Sequence, residues 1–206
     1  MARKTGSNAK DTLRALQLAG LQRLYKQGYA GMTLRELAAD AGIQAGSIYN
    51  HFANKQELLF SVLSLVLNEL LEELQDKLKG AENPTAALMS FVECHVIFHS
   101  DRRREVQIST SELRSLEPEN YRKIVKLRDR YENQLLSILE WGYKEGDWGY
   151  LDFRIATKMI IGMMTSVGVW YRPDGPIKQS QIVDIYKSMV SGLLQNDTEL
   201  LKRKVV

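Results

Sequence analysis

Cysteine and proline are scarce in this chain: one cysteine, Cys94, and four prolines in 206 residues. A single thiol excludes an internal disulfide framework and suits a reducing compartment. With few prolines, no Gly/Ser-rich or Pro-rich stretch and no internal repeat, long disordered linkers and solenoid architectures are excluded too. Long hydrophobic runs are also missing. The longest near-apolar run, Met159 to Trp170, is interrupted by Thr165 and Ser166 and is shorter than the roughly 20 residues a bilayer span needs. The N-terminal "MARKTGSNAKD" is basic with no apolar run behind it, so no signal peptide is read and a soluble, cytoplasmic protein without membrane contact is expected. No run of period-two alternation marks a strand. There is no Gly-rich phosphate loop and no nucleophile motif, which weighs against a small helical enzyme.

What is present is charge asymmetry and helical periodicity. Residues 1–55 carry eight Lys and Arg against three acids, and residues 56–206 carry twenty against twenty-two. A basic first quarter on a near-neutral body suits a polyanion-binding head. Three- and four-residue apolar spacing runs through almost the whole chain and predicts an all-α fold of about nine helices. The first is expected to stop at Gly28 and the second to open on a capping box, Thr33 with Glu36. A short helix is expected from Ala45 to Phe52 and a long one from Asn54 to Gly80. Helices then follow from Pro84 to His99, weakly over 101–116, and from Pro118 to Gly146. The last two are expected at 152–171 and 180–195. The domain division is placed at 1–55 and 56–206, joined through the helix that starts near residue 54.

The stretch "GIQAGSIYNHF", Gly42 to Phe52, is too polar for a core helix. With the preceding helix it forms a helix-turn-helix. Gly42 supplies the backbone conformation of a tight turn, and Ile43 is expected to plug the space between the helices. Gly46 allows close approach to a neighbouring helix or to a DNA backbone. Gln44, Ala45, Ser47, Tyr49, Asn50 and His51 then face outward, where side chains reach base edges and phosphates. A generic helical hairpin with a solvated second segment fits the same spacing.

The segment "MTLRELAADAGIQAGSIYNHFANKQELLFSVL" resembles the DNA-binding segment of TetR-type transcriptional regulators. The match rests on Thr33, Leu37, Ala38, Ala41, Gly42, Gly46, Tyr49, His51, Phe52, Lys55, Leu58 and Leu59, and extends over about residues 9–67. The resemblance implies that Thr33 caps the first motif helix and touches a phosphate, and that Tyr49, His51 and Lys55 contact phosphates. Phe52 is expected in the core. Gln44, Ala45, Ser47 and Asn50 stand where the family varies and are the candidates for base readout. Gln44 is a poor helix cap and Ala45 offers only a methyl group, so direct readout is expected to be sparse. Arg3, Lys4 and Lys10 are either an arm that touches DNA or a solvated tail.

The same resemblance implies a C-terminal helical domain that binds a small-molecule effector and forms a homodimer. The wide apolar faces of the last two long helices suit a four-helix dimer interface, as a palindromic operator requires. A looser resemblance, over about residues 100–195, is to a subgroup of these regulators governing fatty-acid, steroid-ring or aromatic-acid degradation, some of which sense acyl-CoA thioesters. It makes Phe91, His95, Phe98, Arg102, Arg103, Ile108, Trp141, Met163 and Trp170 candidate effector contacts. Arg104, Arg122, Lys123 and Lys126 are further candidates for a CoA phosphate. No cofactor is expected. His95 and His99 lack a clear third ligand for a metal, and packing or a polar pocket contact is the better reading. The expected function is a ligand-responsive repressor. A DNA-binding nucleoid-type protein without an effector is the competing class.

Overall fold

The computed structural model describes residues 5–149 and 152–195; Arg3 and Lys4 lie outside them. Among the described residues there are nine α-helices and two 3-10 helices and no strand. In chain order these are α1 (Thr5–Gly31), α2 (Leu34–Asp40), a 3-10 helix (Ala45–Asn50), α3 (Lys55–Leu78), α4 (Pro84–Asp101), α5 (Arg103–Ser111), a second 3-10 helix (Glu112–Ser115), α6 (Pro118–Glu145), α7 (Phe153–Thr165), α8 (Val167–Trp170) and α9 (Gln179–Leu194). The all-α expectation holds. Among the described residues, no helix is long and apolar enough to cross a membrane.

Several boundaries differ from the sequence expectation for physical reasons. Helix α1 breaks its regular geometry at Gly28 (φ 66°, ψ 176°) but resumes for a last turn to Gly31. The expected helix over 101–116 resolves into α5 and a 3-10 turn. The expected helix over 152–171 divides at Ser166. There the Thr165 and Ser166 hydroxyls donate to the carbonyls of Ile161 (2.8 Å) and Met163 (2.7 Å). Such back-bonding competes with the helix ladder, and the chain tightens through a Val169 N–H bond to Ser166 O at 2.9 Å.

By compactness the chain forms two units. One comprises residues up to Asn68 together with Arg104–Leu127; the other comprises Glu69–Arg103 together with the residues from Arg128 on. Helices α3 and α6 each contribute to both. The first unit buries Leu16, Leu24, Met32, Leu37, Ile48, Phe52, Leu58, Leu63 and Ile124. In the second, α4 packs against α7, α8 and α9. It is buried almost all round, from Ala87 and Leu88 through Phe91, Val92 and Cys94 to Phe98 and His99. Asn83 caps α4 by accepting from Ala86 N–H (2.8 Å), with Pro84 following in the first turn. Asp152 caps α7 through the N–H groups of Arg154 and Ile155.

Candidate functional site

Helix α2 is held at both ends. At its start Thr33 Oγ1 accepts from Glu36 N–H (3.3 Å) and donates to Glu36 Oε2 (2.8 Å), and the Thr33 N–H donates to the same oxygen (3.0 Å). The expected capping box is present. Arg23 of α1 forks onto Asp40, with one bond at 2.9 Å and a shorter one from Nε, and reaches Glu36 at 3.3 Å. The hydrogen bond from Arg23 draws the Asp40 carboxyl below the usual carboxylate range, and the bonds from Thr33 do the same for Glu36.

The turn follows at Gly42, whose φ of +69° is the left-handed conformation that side chains other than glycine resist. Ile43 N–H closes the turn onto Ala38 O at 2.9 Å. The residue that fills the inter-helix space is Ile48, fully buried, rather than Ile43, which is half-buried. The second segment is a 3-10 helix and not an α-helix: Ser47 N–H bonds Gln44 O and His51 N–H bonds Ile48 O, both at 2.9 Å across three residues. Gln44 gives no side-chain cap, and Gly46 adds backbone freedom; a tighter turn needs neither the cap nor the propensity.

The outward set is brought together on this short segment. Gln44, Ala45, Tyr49 and Asn50 are exposed, Tyr49 to 62%, with Ser47 and His51 half-exposed. Gly46 has no protein atom within 4 Å of where a Cβ would stand, so it makes no close approach to a neighbouring helix. Phe52 is buried, as expected. Two residues sit differently from the outward set. The Thr33 hydroxyl proton is held by Glu36. The Lys55 ammonium turns back to α1, donating to Ala30 O at 3.2 Å and lying 4.4 Å above the Tyr29 ring. A phosphate contact from either requires giving up a partner inside the protein.

The candidate effector residues are not all gathered. Phe91, His95, Phe98 and Arg102 follow one another along α4. Ile108, with Arg104, Arg122, Lys123 and Lys126, belongs to the first unit. Trp170 is 49% exposed, and Trp141 and Met163 are half-buried. Arg102 is neutralised by Glu69 and by Glu73 at 3.7 Å, and stacks 4.7 Å from the Phe98 ring. Arg103 Nε donates to Gly168 O at 3.1 Å.

His95 is wired on both nitrogens. Thr165 gives its proton to Ile161 O, so its oxygen accepts from His95 Nε2–H (3.1 Å), and the bare Nδ1 accepts from the Tyr131 hydroxyl (2.9 Å). The His99 ring stacks on His95 with centroids 3.8 Å apart, and its Nδ1–H donates to His95 O at 2.9 Å. Burial pushes His95 well below the ordinary histidine value, helped by His99, and brings His99 down to about 4. Both rings are therefore neutral at physiological pH. Among the described residues no group of three His, Cys, Asp or Glu converges for a metal. Burial raises the Cys94 thiol to about 12, which makes it inert as a nucleophile. No sequence pattern pointed to Tyr131 as a member of this network.

A capped helix, a glycine turn and a short polar outward segment, carried by an all-helical chain, define a helix-turn-helix DNA-binding regulator. The family described as "Bacterial regulatory proteins, tetR family" matches residues 18–62, and "Tetracyclin repressor-like, C-terminal domain" matches residues 81–194, more than half of the chain. The chain belongs to the TetR family of bacterial transcriptional regulators, whose members are regulators and not enzymes. It is 26% identical over 169 residues to the HTH-type transcriptional repressor KstR2 of Mycobacterium tuberculosis, covering 81% of this chain and 84% of that one. It is similar in structure to a TetR-family protein of Rhodococcus RHA1 (24% identity, 90% and 98% of the two chains, TM-score 0.81). It is also similar to AibR, solved in complex with isovaleryl coenzyme A and operator DNA (22% identity, 87% and 97%, TM-score 0.78).

Proposed function

We propose that this protein is a cytoplasmic homodimeric repressor that leaves a palindromic operator when a small apolar or acyl-CoA effector binds its C-terminal domain. The observation that carries the DNA reading is the outward polar set on a segment anchored by Ile48 and turned at Gly42. In this proposal Gln44, Ser47 and Asn50 read base edges, with Ala45 offering a methyl contact. Tyr49 and His51 hold phosphates, joined by Thr33 and Lys55 once they exchange their internal partners for phosphate oxygens. The functional division at 1–55 and 56–206 belongs to the same proposal.

An acyl-CoA effector draws support from the AibR complex and from the buried apolar residues of α4 around Phe91 and Phe98. In this proposal Phe91, Phe98, Trp141, Met163 and Trp170 meet the acyl part. Arg102 and Arg103 meet the anionic part once they exchange Glu69, Glu73 and the Gly168 carbonyl for it, and His95, bonded to Tyr131 and Thr165, orients the ligand. An effector acts by binding the DNA-free arrangement more tightly than the bound one. The dimer draws support from Ile155 and Met159 on α7 and Ile185 and Met189 on α9, all half or more exposed.

Native mass spectrometry of the purified protein, followed by electrophoretic mobility shift on its own promoter region across a salt series, tests the whole proposal. The expected result is a bound small molecule and a salt-sensitive preference for that region over random DNA, reversed by the ligand. Indiscriminate DNA binding with no stabilising ligand would instead indicate a nucleoid-type protein.

A further inference from the structure

We infer that Gln56 is a positioning residue for DNA reading: one side-chain amide locks the reader to the kinked end of α1 and to the segment that opens α6. The inference rests on the DNA-binding proposal above. Gln56 lies in the first turn of α3, four residues after Phe52. Its Nε2 donates to the Tyr29 hydroxyl and to Ser115 O, both at 2.8 Å, and its Oε1 accepts from Glu117 N–H at 2.9 Å. The carbonyl of Ser115 needs an N–H and the N–H of Glu117 needs an oxygen, so the amide has one possible orientation. Both of its protons and its oxygen are used, and they reach two separate stretches of chain, Tyr29 on α1 and Ser115–Glu117 before α6.

The surroundings reinforce this joint. Beside Gln56, Lys55 ties the same α1 end through Ala30 O and the Tyr29 ring. At Gly28 a Cβ would stand 3.3 Å from Glu112 Oε1, so the α1 kink lies against the second 3-10 helix. Arg104 stacks over Tyr25 of α1 at 4.9 Å, and Lys123 of α6 lies 5.5 Å from the Phe60 ring of α3. All these residues belong to one compact unit. Residues 104–127 thus share one compact unit with the proposed reader. The Ala45–Asn50 segment packs on α2, which packs on α1, and it runs through Phe52 into α3, whose first turn carries Gln56. One amide there bonds both the α1 end and the inserted segment. A reader that must sit in a groove within a fraction of an ångström needs such a support.

Two variants of the full-length protein test this. Gln56→Met keeps length and shape but removes all three bonds. Gln56→Glu keeps an acceptor for Glu117 N–H but has no donor for Ser115 O. The probe DNA is a duplex selected by the wild-type protein from a random-sequence pool, compared with unselected duplex. Hydrogen exchange of the Glu117 amide is measured without DNA.

For Gln56→Met the expected result is at least about tenfold loss of selected-over-random preference, with little change in binding to random duplex, and faster exchange at Glu117. For Gln56→Glu the expected result is a similar loss of preference with Glu117 still protected, a split that general loosening of the fold would not produce. Unchanged Glu117 exchange in Gln56→Met, or unchanged preference in both variants, overturns the inference. A wild-type protein that selects no sequence overturns the DNA-reading proposal instead, and the exchange result still decides whether the joint exists.

Discussion

The two glycines of the reader are alike in sequence and opposite in demand. Gly42 has open space around it but a φ of +69°. Gly46 has equally open space and no such backbone. Gly42→Ala is therefore expected to lose about 1–2 kcal/mol of stability from left-handed strain alone. Gly46→Ala should change stability by no more than about 0.5 kcal/mol. If the DNA backbone comes close at Gly46, that variant should still bind DNA several-fold more weakly. Urea denaturation and mobility shifts on both variants measure the two effects separately. Asn50 and Lys55 divide in a comparable way. Asn50→Ala should cost about 1–3 kcal/mol of discrimination at one or two base pairs. Lys55→Ala should weaken all duplexes alike and lower the salt slope by about one. An unchanged salt slope with a lowered melting temperature would mean that its ammonium stays on Ala30 O when DNA binds.

At the scale of elements, α4 carries a pH dependence. His95 and His99 are held below the free histidine value of about 6.5 by burial. The unfolded chain therefore takes up protons that the folded chain refuses. Stability is complete above about pH 6.5 and falls as pH drops from there toward 4, by about 1.4 kcal/mol per pH unit for each histidine. Urea midpoints at pH 7.5, 6 and 5 should show this, and His99→Phe should flatten part of the slope. A profile unchanged by that replacement would remove His99 from the account.

What could be read in the sequence follows from separation along the chain. The Thr33–Glu36 box, the Gly42 turn, the helix start at Pro84 and the buried Phe52 rest on neighbours within a turn or two. The Gln56 joint was not legible, because its partners lie 27, 59 and 61 positions away and a lone glutamine at a variable motif position carries no pattern. The Tyr131 bond to His95 spans 36 positions and was hidden for the same reason. The 3-10 form of the reader also escaped, since apolar spacing over six residues does not separate a three-residue turn from an α-helix.

At the scale of the whole molecule, the apolar width of α7 and α9 is shared between two tasks. Ile160, Met164, Ile182 and Val190 are buried within the unit. Ile155 and Met159 on α7, and Ile185 and Met189 on α9, remain 50–59% exposed, and on each helix the pair is four residues apart, on one face. A monomer gains nothing from that second face, whereas a second copy of the chain would bury it. Because Met189 is exposed in the single chain, Met189→Glu should leave the monomer's fold within about 0.5 kcal/mol of the original. A carboxylate in the middle of the proposed interface should raise the dimer dissociation constant about a hundredfold, equivalent to about 2.7 kcal/mol. Sedimentation velocity over a concentration series measures the dissociation constant, and circular dichroism checks the fold. Operator affinity should fall with the dimer, since each protomer alone meets only one half-site. A variant that stays dimeric at sub-micromolar concentration would move the interface off this face of α9.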